Sequence, residues 1–372
     1  MAGASLAYEL SASLRVVLLE MEAQPGYHAT GRSAALYSAI YGNANVRALT
    51  RAGRGFLDQP PPGFAGQPLM TPRGALFFGD AQQQARLDDF YGEVAPLDSS
   101  VRRLDGKEMR RRVPFLKPAF ALGGVFEAGA MDMDVHALHQ GYLRGARARG
   151  AQLLCGAGVT AAGYAQGAWR LTTRQGGLAV EVNAACLANA AGAWADELAR
   201  LAGLSPLGIA PLRRTALVVE TRDPPASGDW PLTIAADETV YFKPEAGRIL
   251  VSPADETPTA PCDAQPDEYD IALAIDRFES VTELQVRKIT GKWAGLRSFA
   301  PDRTPVIGFD ARNANFFWFA GQGGYGIQTA PGNAQLARAL ICGEALPEAL
   351  LAAGVAAEAL SPARFLGRRA DN

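Results

Sequence analysis

The chain has 372 residues, of which 48% are hydrophobic and 20% are charged, and its formal net charge is −2. This composition is typical of a globular protein of about two domains and excludes a disordered or fibrous chain. The weak negative charge argues against nucleic-acid binding, because phosphate recognition needs a basic surface.

The first 20 residues have the pattern of half a nucleotide-binding unit. Gly3 precedes an apolar segment in which a leucine recurs every fourth residue from Leu6 to Leu14, and this spacing predicts a helix. Residues 16–19 predict a strand that ends in Glu20. In the complete fingerprint a strand and further glycines precede the helix, and the acid binds ribose hydroxyls. The sequence therefore predicts a Rossmann-like unit whose first strand is truncated, through a late-assigned start codon or a real truncation.

Helices and strands are predicted to alternate along the rest of the chain. The pattern predicts helices near residues 44–57, 81–95, 134–149 and 329–341, the last of which closes the chain. It predicts strands near residues 69–78, 120–126, 152–154, 159–164, 169–174 and 180–189. The runs 215–220, 240–243 and 249–252 alternate apolar and polar residues, which predicts half-buried antiparallel strands. The fold class expected is α/β with a second, antiparallel sheet.

Some features exclude other classes of protein. No apolar run approaches the roughly 20 residues of a membrane span and no leader precedes the fold, so we expect a cytoplasmic protein. The arginines at 110–112 predict a solvated helix face. The cysteines (Cys155, Cys186, Cys262 and Cys342) form no C-x-x-C motif, which predicts reduced, buried thiols and no metal site. The chain has three histidines and no G-x-S-x-G motif, which argues against a hydrolase or a metalloenzyme.

Three segments rich in small residues are candidates for ligand binding. Residues 28–35 suit a phosphate through their backbone N–H groups, or they are a loop before an ordinary helix capped by Ser33. Residues 189–194 follow an apolar strand, where small side chains allow either a ligand or tight strand-to-helix packing. Residues 321–329 form a glycine-rich run that leads into a helix, a pattern that suits a bulky planar cofactor better than a core.

With these segments, the sequence resembles the glycine oxidase and D-amino acid oxidase family of FAD-dependent amine oxidoreductases. The resemblance runs end to end and includes Gln24-Pro25-Gly26-Tyr27-His28, His139-Gln140-Gly141-Tyr142-Leu143-Arg144-Gly145 and residues 322–329. Within the family, the chain is most similar to the D-arginine dehydrogenases. The resemblance implies a discontinuous FAD-binding domain (residues 1–66, 131–206 and 291–372). It also implies an α+β substrate-binding domain built on an antiparallel sheet (residues 67–130 and 207–290).

The resemblance also implies the site residues. Glu20 would bind the adenosine ribose, residues 30–35 would approach the pyrophosphate and flavin, and residues 322–329 would surround the isoalloxazine. The expected cofactor-binding residues are Gly3, Ala4, Ser5, Glu20, Met21, Thr30, Gly31, Arg32, Ser33, Ala34, Val159, Ala190, Ala191, Gly192, Trp194, Gly295, Gly323, Gly324, Tyr325, Gly326, Ile327 and Gln328. The expected substrate and catalytic residues are Arg297, Tyr241, Arg214, Tyr41 and Gly324.

Arg297 would hold the α-carboxylate of the substrate through two parallel hydrogen bonds, unless it forms a structural ion pair. Tyr241 would share that carboxylate, and the carbonyl of Gly324 would accept from the substrate amine. The expected reaction transfers a hydride from Cα to flavin N5, giving an imine that hydrolyses to a keto acid and ammonia, with an unidentified electron acceptor. The enzyme would thus be a D-amino acid dehydrogenase or oxidase.

Two positions depart from the cation-binding relatives, because Ala75 replaces a carboxylate and Leu36 replaces a histidine. A cationic substrate would be buried without a partner, which is costly, so we expect a small or apolar D-amino acid. The alternatives are oxidation of a secondary amine such as sarcosine or of glycine, oxidation of a 2-hydroxy acid, and a non-catalytic remnant that binds FAD poorly.

Overall fold

The computed structural model describes residues 1–176, 178–225 and 228–366. Within this part, the α-helices are α1 (Ala2–Leu10), α2 (Ala44–Asp58), α3 (Gln84–Val94), α4 (Gly106–Arg112), α5 (Val135–Ala148), α6 (Ala195–Leu201), α7 (Glu268–Val281), α8 (Ala330–Cys342), α9 (Glu348–Ala352) and α10 (Ala357–Leu360). The side chains of Asn43, Asp105, Asp134 and Asp267 each accept a hydrogen bond from a first-turn amide, which explains where α2, α4, α5 and α7 begin. No helix of the described part is long and apolar enough to cross a membrane.

The strands of the same residues form several sheets. They are β1 (Val17–Leu19), β2 (Leu36–Tyr37), β3 (Met70–Pro72), β4 (Ala75–Phe78), β5 (Val101–Asp105), β6 (Gly123–Glu127), β7 (Met131–Met133), β8 (Gln152–Leu154), β9 (Gly158–Ala165), β10 (Ala168–Gln175), β11 (Leu178–Ala184), β12 (Leu187–Asn189), β13 (Ala210–Thr221), β14 (Leu232–Ala235), β15 (Tyr241–Glu245), β16 (Arg248–Ser252), β17 (Thr257–Pro258), β18 (Val286–Phe299), β19 (Val306–Asp310), β20 (Asn313–Ala320) and β21 (Gln322–Gly323).

The nucleotide-binding unit predicted from the sequence is built from short parallel strands. Strand β1 pairs with β8, and β12 pairs with β20, both in parallel, while β19 pairs with β20 in the antiparallel sense. Helix α1 packs between the two groups, since a Cβ on Gly3 would lie 2.9 Å from Leu18 Cδ1 and 3.7 Å from the Cβ of Ala190. Glycine at position 3 thus permits the close approach of helix and strand. The helix predicted from the leucine spacing is confirmed as α1 for Leu6 and Leu10, but Leu14 lies beyond its end and is exposed.

The second layer is a ten-stranded sheet in the order β21-β18-β13-β16-β15-β14-β4-β6-β5, with β17 added beside β13. Its pairs are antiparallel except for β14 with β4. One face packs against α7, where Phe278 and Ala274 join a buried cluster with Leu217, Phe242 and Val251. Leu87 and Val94 of α3 cover part of the opposite face, where Phe77 and Val125 lie. A ligand site on this sheet is therefore expected on the remainder of that face.

Most predicted elements are confirmed, and several boundaries are wrong. The strand expected over residues 69–78 is divided into β3 and β4, because Gly74 has a φ of +75°. The strand expected over residues 180–189 is two strands of different sheets, and α9 and α10 follow the helix expected to close the chain. The division into two domains stays a prediction; β18 runs through residue 290 as one strand of the large sheet.

Two expectations about surface groups need correction. The guanidinium of Arg112 lies 4.1 Å from the ring centroid of Phe126, so the arginine run is not wholly solvated. The four cysteines, all within the described part, are half-buried rather than buried.

Candidate active site

The pairing of four strands places the expected substrate residues together. The registers of β18 with β13, of β13 with β16 and of β16 with β15 put Arg297, Arg214 and Tyr241 on the same face of the large sheet. This follows because alternate residues of a strand point to the same face. Tyr41 reaches them from the loop between β2 and α2, and Gly324 from the segment after β21. The structure thus brings together all five residues.

Arg297 is a half-buried cation that forms no ion pair with a carboxylate in the described part of the chain. Burial lowers its pKa, but the facing hydroxyls of Tyr41 and Tyr241 outweigh burial and hold the pKa above its usual range. A Cβ on Gly324 would lie 2.9 Å from one guanidinium nitrogen, so a larger residue there would displace the guanidinium. The guanidinium therefore stays charged and offers its donors to an anion. The structural ion pair considered as the alternative is absent from the described residues.

Arg214 is held by partners of its own. Its Nε donates to the carbonyl of Asp255 (2.7 Å), and its Nη2 donates to Glu256 (3.2 Å). Burial raises the pKa of Tyr241, but Arg297 and Arg214 together lower it below its usual value. Arg214 therefore lies beside Tyr241 with its Nε and Nη2 already engaged, whereas Arg297 has no carboxylate partner in the described residues.

An apolar cluster borders this polar group on the same face. It contains Ile40, Ala75 and Phe77, with Leu36 and Ile234 packed against it, and Ile234 lies directly opposite Tyr241. Ala75 is completely buried. A substrate side chain directed from Arg297 toward this cluster would meet apolar groups.

Glu127 is a buried acid that sequence reasoning did not identify. It lies directly opposite Ala75 in the pairing of β6 with β4 and is fully inaccessible to solvent. Burial raises its pKa to about 7, although hydrogen bonds from Ser38 and Ala39 lower it. The signal was a single acid at the end of the apolar run 123–127, which has no motif around it.

Two runs of backbone amides fit an anionic, planar cofactor. In the described residues, no group accepts a hydrogen bond from the amides at positions 32–34 or 326–328. Successive unpaired N–H groups are a common anion-binding arrangement, and buried donors are otherwise nearly always paired. Both runs lie close to Arg297 in the chain fold, because Gly324 contacts that side chain and a Cβ on Gly295 would lie 3.3 Å from the Cβ of Arg32.

The side chains in these runs have other partners. Arg32 donates to the carbonyls of Ala264 (2.8 Å) and Ala294 (3.0 Å) and pairs with Asp263, so its guanidinium is not free for a phosphate. The hydroxyl of Ser33 accepts from the amide of Ala35 (3.0 Å). Residues 36–37 form a strand, so the alternative in which Ser33 caps a helix is wrong.

Gln328 is likewise used within the protein. Its amide donates to Thr50 Oγ1 (2.9 Å) and accepts from the amide of Ser38 (3.2 Å). Gln328 therefore offers a ligand its backbone rather than its side chain. Gly326 and Ile327 share the unpaired amide run, Tyr325 packs edge-on against Tyr41 with ring centroids 5.0 Å apart, and Gly323 has a φ of +54°.

The remaining expected cofactor residues surround the ends of the parallel strands. Glu20 follows β1, and its carboxylate accepts from the amide of Glu22 (2.9 Å). Gly192 has a φ of +56° and open space beside its Cα, as a ligand-facing glycine requires. The others are placed as follows: Thr30 bonds to the Met1 amino group, Gly31 packs on the Gly26 carbonyl, Ala4 and Ser5 are buried in α1, Met21 is exposed near Gly158, Val159 is the second residue of β9, Ala190 and Ala191 follow β12, and Trp194 contacts the His28 ring.

These features fit a dinucleotide cofactor, with Glu20 at the carboxyl end of a parallel strand and unpaired amides further along. Ser5 is the exception, since its amide and hydroxyl both bond within α1 to the carbonyls of Met1 and Ala2. No group of three or more His, Cys, Asp or Glu in the described residues could hold a metal ion. The individual roles of the residues stay predictions.

Comparison with known proteins gives a consistent result. Hydrogen cyanide synthase subunit HcnC of Pseudomonas aeruginosa is 27% identical over 269 residues, which cover 72% of this chain and 62% of that protein. The chain therefore spans about three fifths of the length of this relative. L-Proline dehydrogenase from P. horikoshii superposes with a TM-score of 0.81 at 19% identity, covering 97% of this chain and 94% of that one. Glycine oxidase from Geobacillus kaustophilus gives 0.79 at 20% identity and covers 92% of each chain. Residues 1–340 match the DAO family of FAD-dependent oxidoreductases, so the chain belongs to this family and FAD is its cofactor.

Proposed function

We propose that the protein oxidises a small or apolar D-amino acid to the corresponding imino acid, which water converts to a keto acid and ammonia. The observation that carries this proposal is Arg297, a half-buried cation without a carboxylate partner in the described residues. A cation withdrawn from water gains from an anionic partner, so an anionic ligand would complete the site. An α-carboxylate matches the planar guanidinium through two parallel hydrogen bonds.

The residues around Arg297 can orient such a substrate. Tyr41 and Tyr241 face the guanidinium, and the hydroxyl of each can donate a hydrogen bond to the same carboxylate. The carbonyl of Gly324 is close enough to Arg297 to accept from the substrate amine. When bound, FAD accepts the hydride from the substrate Cα, and these groups decide which hydrogen is presented to it.

The apolar cluster supports the choice of side chain. An aliphatic tail packed against Leu36, Phe77 and Ile234 would gain about 25 cal/mol for each Å² removed from water. Glu127, which lies opposite Ala75, is bonded to Ser38 and Ala39, so it is not open to pair with a guanidinium or ammonium tail. The D configuration is supported by the resemblance of the five substrate residues to those of D-amino acid enzymes.

A second candidate is oxidation of glycine or a secondary amine. The complete burial of Ala75 favours it, because a side chain without accessible surface offers a large substrate side chain no contact. The names of the similar solved structures, L-proline dehydrogenase and glycine oxidase, are consistent with it. A 2-hydroxy acid would bind to Arg297 equally well, since the guanidinium contacts only the carboxylate.

A substrate panel separates these candidates. Protein supplied with FAD is assayed with an artificial electron acceptor, and separately with oxygen, on both enantiomers of leucine, methionine and arginine and on glycine, sarcosine, proline and lactate. We expect the highest kcat/KM for D-leucine or D-methionine. A preference for glycine, sarcosine or proline would select the second candidate, whereas a preference for D-arginine would contradict the apolar pocket. No turnover of any of these compounds by the flavin-loaded protein would refute the proposal.

A further inference from the structure

Glu127 is buried beside the candidate active site, yet the proposed reaction does not use it. It ends β6, and the registers of β6 with β4, of β4 with β14 and of β14 with β15 put its side chain on the same face as Tyr241. It is fully inaccessible, whereas most isolated acids lie at the surface. A buried carboxylate of this kind needs a compensating set of hydrogen bonds.

Its two carboxylate oxygens accept those hydrogen bonds from one short segment, residues 38–39. Oε2 accepts from the hydroxyl of Ser38 (2.6 Å), and Oε1 accepts from the backbone amide of Ala39 (2.7 Å). Both bonds join residues about 88 positions apart, so they are tertiary contacts and not part of a local turn.

The same segment is held a second time by the residues that precede α8. Gln328 accepts from the amide of Ser38 (3.2 Å) and donates to the carbonyl of Ser38 (3.3 Å), and its amide also donates to Thr50 (2.9 Å). Ser38 is therefore fixed between the large sheet on one side and the segment with unpaired amides on the other.

Tyr41 lies only three residues beyond Ser38. Ile40 between them is 1% exposed and packs into the apolar cluster with Ala75, so the backbone up to Tyr41 has little freedom. Tyr41 in turn faces Arg297. Loss of the two bonds from Glu127 would leave the amide of Ala39 and the hydroxyl of Ser38 buried without a partner, and the segment would move to satisfy them.

We propose that Glu127 is a positioning residue of the active site: it fixes residues 38–40 and thereby holds Tyr41 against Arg297. Glu127 does not touch the substrate. This proposal rests on the proposed function, because it assumes that Arg297 binds a carboxylate.

The test compares Glu127→Ala with Glu127→Gln in the FAD-loaded protein. The glutamine amide can still accept from the amide of Ala39 and donate to the hydroxyl of Ser38, so it is the conservative variant. We expect Glu127→Ala to raise KM for the best amino acid, and Kd for 4-methyl-2-oxopentanoate read from flavin absorbance, by about tenfold, with kcat within about threefold of the wild type. Glu127→Gln is expected to restore both constants to within about threefold.

A matched control removes another buried acid. Asp310 is 3% exposed, bonds to Arg312 and Trp318, and lies on β19, outside the large sheet. Asp310→Asn is expected to lower Tm without changing Kd for the keto acid. If Glu127→Ala lowers Tm to the same extent but leaves KM and Kd unchanged, Glu127 is merely structural and the proposal is overturned.

A double-mutant cycle tests whether Glu127 affects ligand binding through Tyr41. Because Glu127 acts through Tyr41, the variant combining Glu127→Ala with Tyr41→Phe is expected to bind the keto acid no more weakly than Tyr41→Phe alone. Fully additive losses would overturn the proposal. A wild-type protein that binds the keto acid but oxidises no amino acid would refute the proposed function alone, since the Glu127 test is read from binding. Absence of keto-acid binding to the wild type would overturn both.

Discussion

Replacing Arg297 by alanine tests the central residue of the candidate site. In the described residues Arg297 has no carboxylate partner, so its removal orphans no acid of the protein, and the loss falls on the ligand. Two charge-assisted hydrogen bonds to a carboxylate are worth about 3–5 kcal/mol together when the site is desolvated. At 1.36 kcal/mol for each factor of ten, kcat/KM should fall between roughly 150-fold and 5,000-fold.

The assay is steady-state kinetics with the best substrate of the panel, together with the flavin content and Tm of each variant. Arg297→Lys should recover only part of the loss, because an ammonium group cannot make the paired contact of a guanidinium. Arg287 offers a matched control on the same strand: it is 65% exposed and pairs with Glu220 (2.8 Å). Arg287→Ala should leave kcat/KM unchanged.

One result would refute this reasoning. If Arg297→Ala keeps its flavin and loses less than about tenfold in kcat/KM, the carboxylate is bound elsewhere. Full recovery by lysine would show that only the charge is read and that the paired hydrogen bonds contribute nothing.

Three further predictions concern the flavin content, the pH dependence of stability and the Ala75 position. A Cβ on Gly31 would lie 2.6 Å from a main-chain oxygen, so Gly31→Ala should lower flavin content relative to Gly55→Ala, where no atom lies within 4 Å. Burial raises the pKa of Glu127 from 4.5 to about 7, so the unfolding free energy should fall by about 3 kcal/mol as pH rises through this range. Burial lowers the pKa of His139 from 6.5 to about 4, so this group alone should raise the unfolding free energy by about 3 kcal/mol as pH rises from 4 to 6.5. The contributions of Glu127 and His139 have opposite signs, so the unfolding free energy of the wild type, measured with a denaturant, should depend only weakly on pH. In Glu127→Gln it should rise clearly with pH. A flat pH profile in this variant would contradict the lowered pKa of His139. Ala75→Glu would place a second carboxyl opposite Glu127 and should lower Tm rather than create affinity for D-arginine.

Local sequence features were sufficient to predict most helices and strands and the segments expected to bind the cofactor. The leucine spacing, the apolar strand before Glu20 and the glycine-rich run at residues 321–329 are determined by neighbouring residues, and the structure has α1, β1 and the turn before α8 at these places. Boundaries were less accurate, because the end of α1 before Leu14 depends on what packs around it. The resemblance indicated five substrate residues, and the strand registers bring them to one place.

The sequence by itself determined the fold family, the FAD cofactor and the candidate carboxylate-binding arginine, because these depend on motifs of contiguous residues. Only the tertiary structure decided that Arg297 lacks a carboxylate partner among the described residues, that the side chains of Arg32 and Gln328 are already engaged, and that Glu127 faces Ser38. These contacts join residues separated by tens to hundreds of positions. Burial and pairing of a charge are properties of the packed chain, since they depend on which distant groups exclude water from it.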